Sequence, residues 1–171
     1  MNKLSRILLA LILFFGPVLA ARAAATGSGP EAFEKLKSLS GHWEEQTPTD
    51  ALARMDIRLT SGGTTLIEVF DMVDQGKPVE MVTMYYLDGG QLKMTHYCEA
   101  GNQPTMRATY SPDAKTLTWD FISATNLKTP HDGHMHHAVY TFVDRDHLKT
   151  VWTFQKNQKE SFTEESVFVR K

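Results

Sequence analysis

Residues 116–124 read TLTWDFISA, a stretch in which large apolar side chains alternate with smaller or polar ones. Side chains of a β-strand point to its two faces in turn, so Leu117, Trp119 and Phe121 share one face of the predicted strand. The opposite face carries Thr116, Thr118, Asp120 and Ile122. This pattern predicts a strand with one face against an apolar interior and the other toward solvent.

Nine further stretches show the same period of two, and most are separated by short turns rich in Gly, Asp and Asn. The ten predicted strands are residues 42–47, 51–60, 64–73, 78–87, 91–100, 105–111, 116–124, 134–143, 147–156 and 160–170. Ten strands joined by tight turns predict an antiparallel meander. The fold class is therefore all-β, and a ten-stranded up-and-down β-barrel is favoured because closure removes unpaired edges. A two-sheet sandwich would show the same alternation.

The N-terminal region predicts export. Residues 1–23 combine a basic start, about 13 apolar residues and an alanine-rich end, the pattern of a secretory signal peptide. The apolar run is shorter than the roughly 20 residues of a spanning helix, so we expect cleavage, a periplasmic or secreted location and no membrane span in the mature chain. Residues 24–29 predict a flexible linker and residues 30–171 a single barrel domain.

Charge and cysteine content narrow the possible partners. Removing residues 1–23 takes out three basic side chains and no acidic one, so the 18 basic residues become 15 against 20 acidic ones, a net charge of about −5. Such a surface argues against nucleic acid or anionic lipid as a partner. The single cysteine excludes an internal disulfide. The sequence gives no indication of the oligomeric state.

A short helix precedes the first strand. Phe33, Leu36 and Leu39 recur at helical spacing within residues 31–40, and the helix is expected to begin near Pro30. This helix, the Gly41-His42-Trp43 that follows it and Arg170 on the last strand resemble the calycin superfamily, the lipocalins and their ten-stranded relatives. The resemblance implies that Trp43 closes one end of the barrel and that Arg170 covers its indole.

Ten strands and the lack of a C-terminal helix are more similar to fatty-acid-binding and nitrobindin-like barrels than to eight-stranded lipocalins. The stretches THYCEAGNQPTMRA and DGHMHHAVYTF also resemble a group of exported bacterial barrel proteins. The resemblance implies that the barrel interior is the functional site, with a small, largely hydrophobic molecule as the ligand. Nitrobindin-like barrels hold haem through one histidine, so haem is an alternative cofactor by analogy.

The run QLKMTHYCEA, residues 91–100, places Met94, His96 and Cys98 on one face of a strand, predicted here to be the inner face. A histidine and the only cysteine on an inner face have two interpretations. They are a hydrogen-bonded interior histidine and a buried thiol, or they belong to a metal site.

A second run, residues 133–144, places His134 and His136 on one face of another strand. Two histidines at this spacing can converge on one ion, so the candidate metal ligands are His96, His134, His136 and Cys98, with zinc or copper as the metal. The rest of this run has no clear inner face. Ordinary structural histidines remain the alternative, with no cofactor at all.

Candidate ligand-binding residues are the inward-pointing apolar, aromatic and adaptable side chains of the predicted barrel. They are Met55, Met81, Tyr85, Met94, His96, Cys98, Met106, Tyr110, Trp119, Phe121 and Trp152. The sequence contains no nucleophilic-serine, P-loop or dinucleotide motif, and no catalytic residue is predicted. The leading hypothesis is an exported barrel that binds a small hydrophobic molecule. A metal- or haem-binding barrel and a structural or interaction barrel without a ligand are the alternatives.

Overall fold

The computed structural model describes residues 26–46 and 53–171. The predicted signal peptide, the first two residues of the predicted linker, residue 47 of the first predicted strand and residues 51–52 of the second lie outside the described residues. None of the described helical segments has the length and apolar character that a membrane crossing requires.

The chain forms a closed, antiparallel, ten-stranded β-barrel, which confirms the predicted fold class. Each strand pairs with its neighbours in sequence, and β1 closes the barrel against β10. The elements are α1 (Gly29–Lys37), β1 (Gly41–Glu45), β2 (Arg54–Thr60), β3 (Thr65–Asp74), β4 (Lys77–Asp88), β5 (Gln91–Tyr97), β6 (Gln103–Ser111), β7 (Thr116–Thr125), β8 (His134–Phe142), β9 (His147–Lys156) and β10 (Lys159–Arg170). A short 3₁₀ turn, Ser61–Gly63, joins β2 to β3.

The helix α1 begins one residue earlier than expected, because Ser28 caps it. The Ser28 hydroxyl accepts a hydrogen bond from the backbone N–H of Glu31, and the Glu31 carboxylate accepts one from the Ser28 N–H. Within the predicted linker, Gly27 forms a bridge to Tyr110 on β6. The C-terminal part of that segment is therefore paired with the barrel, and α1 packs against β5 and β6.

Trp43 and Arg170 lie opposite each other where the first and last strands pair, and Arg170 covers the Trp43 ring. Trp43 is buried, and its indole N–H donates to the Leu39 carbonyl at 2.7 Å. The Arg170 guanidinium carbon lies 4.2 Å from the centre of the Trp43 ring. Gly41 has a φ of +135°, and a Cβ there would come within 2.9 Å of Arg170 Nη1, so the glycine allows the close approach.

Replacing Arg170 with alanine is expected to lower the free energy of unfolding by about 2 kcal/mol. The guanidinium donates to the carbonyls of Ser38, Ser40 and Arg145 as well as stacking on the indole. Urea unfolding at neutral pH measures the loss. Arg145→Ala is the matched control, because its side chain is 92% exposed and should change stability by less than about 0.5 kcal/mol. Equal effects of the two changes would contradict this role of Arg170.

Candidate functional site

The barrel interior contains a small, partly open cavity with apolar walls and several polar side chains. Its apolar walls are Met55, Phe70, Met81, Met135, Trp152 and Phe168, and its polar side chains are Glu68, His96, Tyr140, Thr150, Glu164 and Ser166. The cavity offers about 50 Å³ to the centre of a water molecule. One water needs roughly 10–15 Å³ by this measure, so the space is that of roughly three to five waters.

Two of these polar residues, Glu68 and His96, belong to a chain of hydrogen bonds across three neighbouring strands. Glu68 on β3 lies opposite Thr83 on β4, and Thr83 lies opposite His96 on β5. Thr83 Oγ1 lies 3.4 Å from Glu68 Oε1 and 2.9 Å from His96 Nδ1. The register of the sheet therefore places the carboxyl and the imidazole on either side of one hydroxyl.

Two tyrosines complete this chain. The Tyr85 hydroxyl donates to Glu68 Oε2 at 2.7 Å, and the Tyr140 hydroxyl lies 2.9 Å from that of Tyr85. Because the Tyr85 proton goes to Glu68, Tyr140 donates to the Tyr85 oxygen. Burial raises the pKa of both tyrosines well above the usual value, so both remain protonated donors.

Burial shifts the pKa values of Glu68 and His96 in opposite directions. It raises the pKa of Glu68 to about 7, and the hydrogen bonds from Tyr85 and Thr83 oppose this rise. It lowers the pKa of His96 to about 4. In each case the low-polarity interior disfavours the charged form. His96 is therefore neutral at physiological pH, while Glu68 titrates there.

The Glu68 proton determines what His96 offers to a ligand. An ionised Glu68 can only accept, so Thr83 donates to it and accepts from His96 Nδ1–H, and His96 Nε2 is left with a lone pair. A protonated Glu68 can donate to Thr83, which then donates to Nδ1 and leaves the proton on Nε2. Nε2 has no hydrogen-bond partner among the described residues, so it is the ring nitrogen available to a ligand in the cavity.

The structure divides the predicted ligand-binding residues among several places. Met55, Met81, His96 and Trp152 line the cavity, and the His96 ring stacks on Trp152 at 4.8 Å. Tyr85 belongs to the hydrogen-bonded chain. The buried core that surrounds the cavity includes Met94, Met106 and Trp119. Tyr110 pairs with Gly27 beside α1, and Phe121 lines a separate cleft.

Cys98 does not occupy the inward strand position predicted for it. The strand β5 ends at Tyr97, and Cys98 is half-buried in the turn that follows. Its carbonyl accepts from the Gly101 N–H at 3.2 Å, and Gly101 adopts a φ of +71°. The chain thus turns before Cys98 can continue the alternation. Burial raises the pKa of the thiol, which keeps it a poor nucleophile at neutral pH.

His134 and His136 form a pair of their own in a second cleft, at the beginning of β8. His134 Nε2 lies 3.2 Å from His136 Nδ1, and both rings stack against Phe121, at 4.5 and 5.0 Å. This cleft of about 370 Å³ is also lined by Gln155 and by residues of the loop before β8. The cleft and the interior cavity share no lining residue, so His96 and this pair lie in different sites.

The described residues provide neither the predicted four-ligand metal site nor a cavity large enough for haem. Within residues 26–46 and 53–171, no three or more His, Cys, Asp or Glu side chains are grouped as metal ligands, so the four predicted ligands do not form one cluster. A porphyrin needs far more room than the interior cavity offers. No step through haem is therefore proposed.

Several residues at or near the cavity are not among the predicted site residues, and Glu68 is the most important of them. It shares a strand face with Leu66 and Phe70, so an acidic residue at an inward position of β3 was the available signal. Thr83 follows from the same period on β4. Met135 could not be found in this way, because the β8–β9 register shifts between Met135 and His137 and breaks the alternation.

In comparisons of sequence, neither a family model nor a curated protein matches the chain. In a comparison of structures, the fold is similar to that of Rv2717c from M. tuberculosis, known from a crystal structure. The TM-score is 0.61 at 17% sequence identity, and the alignment covers 82% of this chain and 97% of that one. At this identity the similarity concerns the fold alone.

Proposed function

We propose that this protein is a calycin-like barrel that binds a small, largely apolar molecule in its interior, with His96 holding the polar end of the ligand. The observation that supports this most is His96 Nε2, which has no hydrogen-bond partner in the part of the chain that the structure describes and lies at a cavity with methionine and aromatic walls. Apolar walls with a few fixed polar groups are the usual construction of a small-molecule site. The closed barrel and the Trp43–Arg170 contact support the calycin-like assignment.

The cavity has room for a ligand of about five non-hydrogen atoms. Three to five waters occupy roughly 90–150 Å³ of liquid, which is enough for a five-membered aromatic ring. The network that fixes His96 also fixes its tautomer, which favours a ligand with one N–H or O–H donor when Glu68 is ionised.

Pyrrole and furan form a matched pair of probes for this site. They have the same ring size, but only pyrrole has an N–H to donate to His96 Nε2. At pH 8, pyrrole is expected to bind with a Kd of about 1 mM or tighter, and about 10-fold more tightly than furan. NMR titration of the Trp152 indole signal measures both affinities. Equal binding of the two probes, or none, would contradict the proposal.

Met81→Trp is expected to fill the cavity and to weaken pyrrole binding at least 10-fold, since the larger ring occupies the ligand's space. Met84→Trp is the matched control. It makes the same change three residues along β4, outside the set of residues that line the cavity. If both variants bind pyrrole like the wild type, the ligand does not occupy this cavity.

Residues 1–23 support a further part of the proposal, namely that the protein acts in the periplasm or outside the cell. Mass spectrometry of the protein recovered from the periplasmic and extracellular fractions tests this. An intact N-terminus and recovery only from the cytoplasm would contradict export.

A further inference from the structure

The histidine pair at the start of β8 has a geometry suited to one metal ion. We propose that His134 Nε2 and His136 Nδ1 bind a zinc ion in the cleft beside Phe121, with water completing the coordination. This site is separate from the interior cavity, and it does not depend on the proposed ligand.

The distance between the two nitrogen atoms is the first argument. Zinc–nitrogen bonds are about 2.0–2.1 Å, so two nitrogens on one tetrahedral zinc lie about 3.4 Å apart. His134 Nε2 and His136 Nδ1 are 3.2 Å apart. An ion can therefore bridge them once the two rings turn so that both lone pairs point at it.

The hydrogen bonding of His134 is the second argument. Its Nδ1 lies 2.9 Å from the Asp132 carbonyl oxygen, which can only accept, so Nδ1 carries the proton. The Nε2 lone pair is therefore directed at His136. Metal-binding histidines usually donate their other ring N–H to a carbonyl or carboxylate in this way, which fixes both tautomer and orientation.

The loop that supplies this carbonyl is itself held in place. The Asp132 carboxylate accepts hydrogen bonds from the backbone N–H groups of Lys128 and Thr129 and from the Thr129 hydroxyl. Gly133, the residue after Asp132, is bound to the β5–β6 turn, because the Asn102 amide donates to its carbonyl at 2.8 Å. The acceptor for His134 is thus positioned by two loops and not by a free chain end.

The arrangement of the two rings is the third argument. The β8–β9 register is irregular between Met135 and His137, so His136 is the extra residue of a bulge. Both imidazoles lie against the Phe121 ring, with centroid distances of 4.5 and 5.0 Å, which limits the rotamers available to them. Little side-chain freedom remains to be lost when an ion binds.

Zinc binding changes the tautomer of His136 without gain or loss of a proton. Without metal, His136 Nδ1–H donates to His134 Nε2. On binding, His136 coordinates through Nδ1 and its proton moves to Nε2, so both ligands are neutral imidazoles before and after. The cleft of about 370 Å³ has ample room for the waters that fill the other coordination positions.

Isothermal titration of the untagged full-length mature protein with zinc chloride tests the proposal. We expect one zinc per chain at micromolar concentrations and at least a 10-fold weaker affinity for His136→Gln and for the double variant His134→Gln/His136→Gln. His137→Gln is the matched control on the same strand, because its ring pairs with Asp120 at 3.2 Å. It should bind zinc like the wild type.

Imidazole ¹⁵N spectra give a second readout that does not depend on affinity. Zinc should shift the Nε2 resonance of His134 and the Nδ1 resonance of His136, and it should leave His96 unchanged. His136 is only partly buried, so its variant is expected to fold even where His134→Gln is destabilised. Absence of zinc uptake, unchanged affinity in His136→Gln, or coordination at His96 would each overturn the proposal. Zinc uptake and its loss in His136→Gln do not bear on pyrrole binding, which tests the interior site.

Discussion

Replacing Glu68 with glutamine is expected to change the free energy of unfolding by an amount that is about 3 kcal/mol more favourable at pH 8 than at pH 4. Burial raises the pKa of Glu68 to about 7. The folded state therefore keeps a proton that the unfolded state releases near pH 4.5. The stabilising contribution of this group is complete below about pH 4.5 and is lost as the pH rises through 7. Glutamine cannot ionise, so it avoids this loss.

His96 should produce the opposite trend over nearly the same range. Its pKa is lowered to about 4, so its stabilising contribution is complete above about pH 6.5 and is lost as the pH falls through 4. Between about pH 4.5 and 6.5 the two groups have slopes of about 1.4 kcal/mol per pH unit with opposite signs, which cancel in the wild type. Stability should rise with pH in Glu68→Gln and fall with pH in His96→Gln.

Urea unfolding of the wild type and both variants, at half-unit steps from pH 4 to 8, measures these slopes. Differences between each variant and the wild type remove the contribution of all other titrating groups. A pH-independent difference for Glu68→Gln would contradict a buried carboxyl with a raised pKa. Parallel curves for His96→Gln and the wild type would contradict the corresponding role of His96.

Replacing Trp43 with alanine is expected to lower the free energy of unfolding by about 4 kcal/mol. Trp43 is almost fully buried, and its ring lies under the Arg170 guanidinium. Alanine would leave a cavity, remove the hydrogen bond to Leu39 and deprive Arg170 of the ring it covers. Both the lost burial and the cavity contribute to the cost.

Trp43→Phe is the conservative counterpart, and it should cost less than half as much because it keeps an aromatic ring under Arg170. Arg170→Ala should cost less in the Trp43→Ala background than in the wild type, because the stacking on the indole is already lost while the hydrogen bonds of Arg170 to backbone carbonyls remain. Urea unfolding of the four proteins gives this coupling. A loss below about 1 kcal/mol for Trp43→Ala, or full additivity with Arg170→Ala, would contradict the role of this contact.

The number and type of strands were predictable because turn residues mark the ends of most strands in the local sequence. Gly89 and Gly90, for example, both adopt positive φ between β4 and β5, a conformation that glycine tolerates best. The Trp43–Arg170 contact was also predictable, from a resemblance and from the affinity of guanidinium for an indole face. The end of β5 was not, since the alternation of residues 91–100 continues past the point where the chain turns.

The candidate site was only partly predictable, because it depends on register between strands. Period two indicates that Glu68, Thr83 and His96 can point inward, but it does not state that they lie opposite one another. The bulge near His136 has no recognisable signal in the sequence, and it separates the histidine pair from the interior. A single inserted residue thus changes which site a histidine belongs to.

The most direct test of interior binding is an NMR measurement of intermolecular contacts with pyrrole at pH 8. Nuclear Overhauser effects should connect the pyrrole protons with the rings of His96 and Trp152, and they should be absent in Met81→Trp. Effects confined to Phe121 and His136, or contacts that persist in Met81→Trp, would contradict binding in the barrel interior.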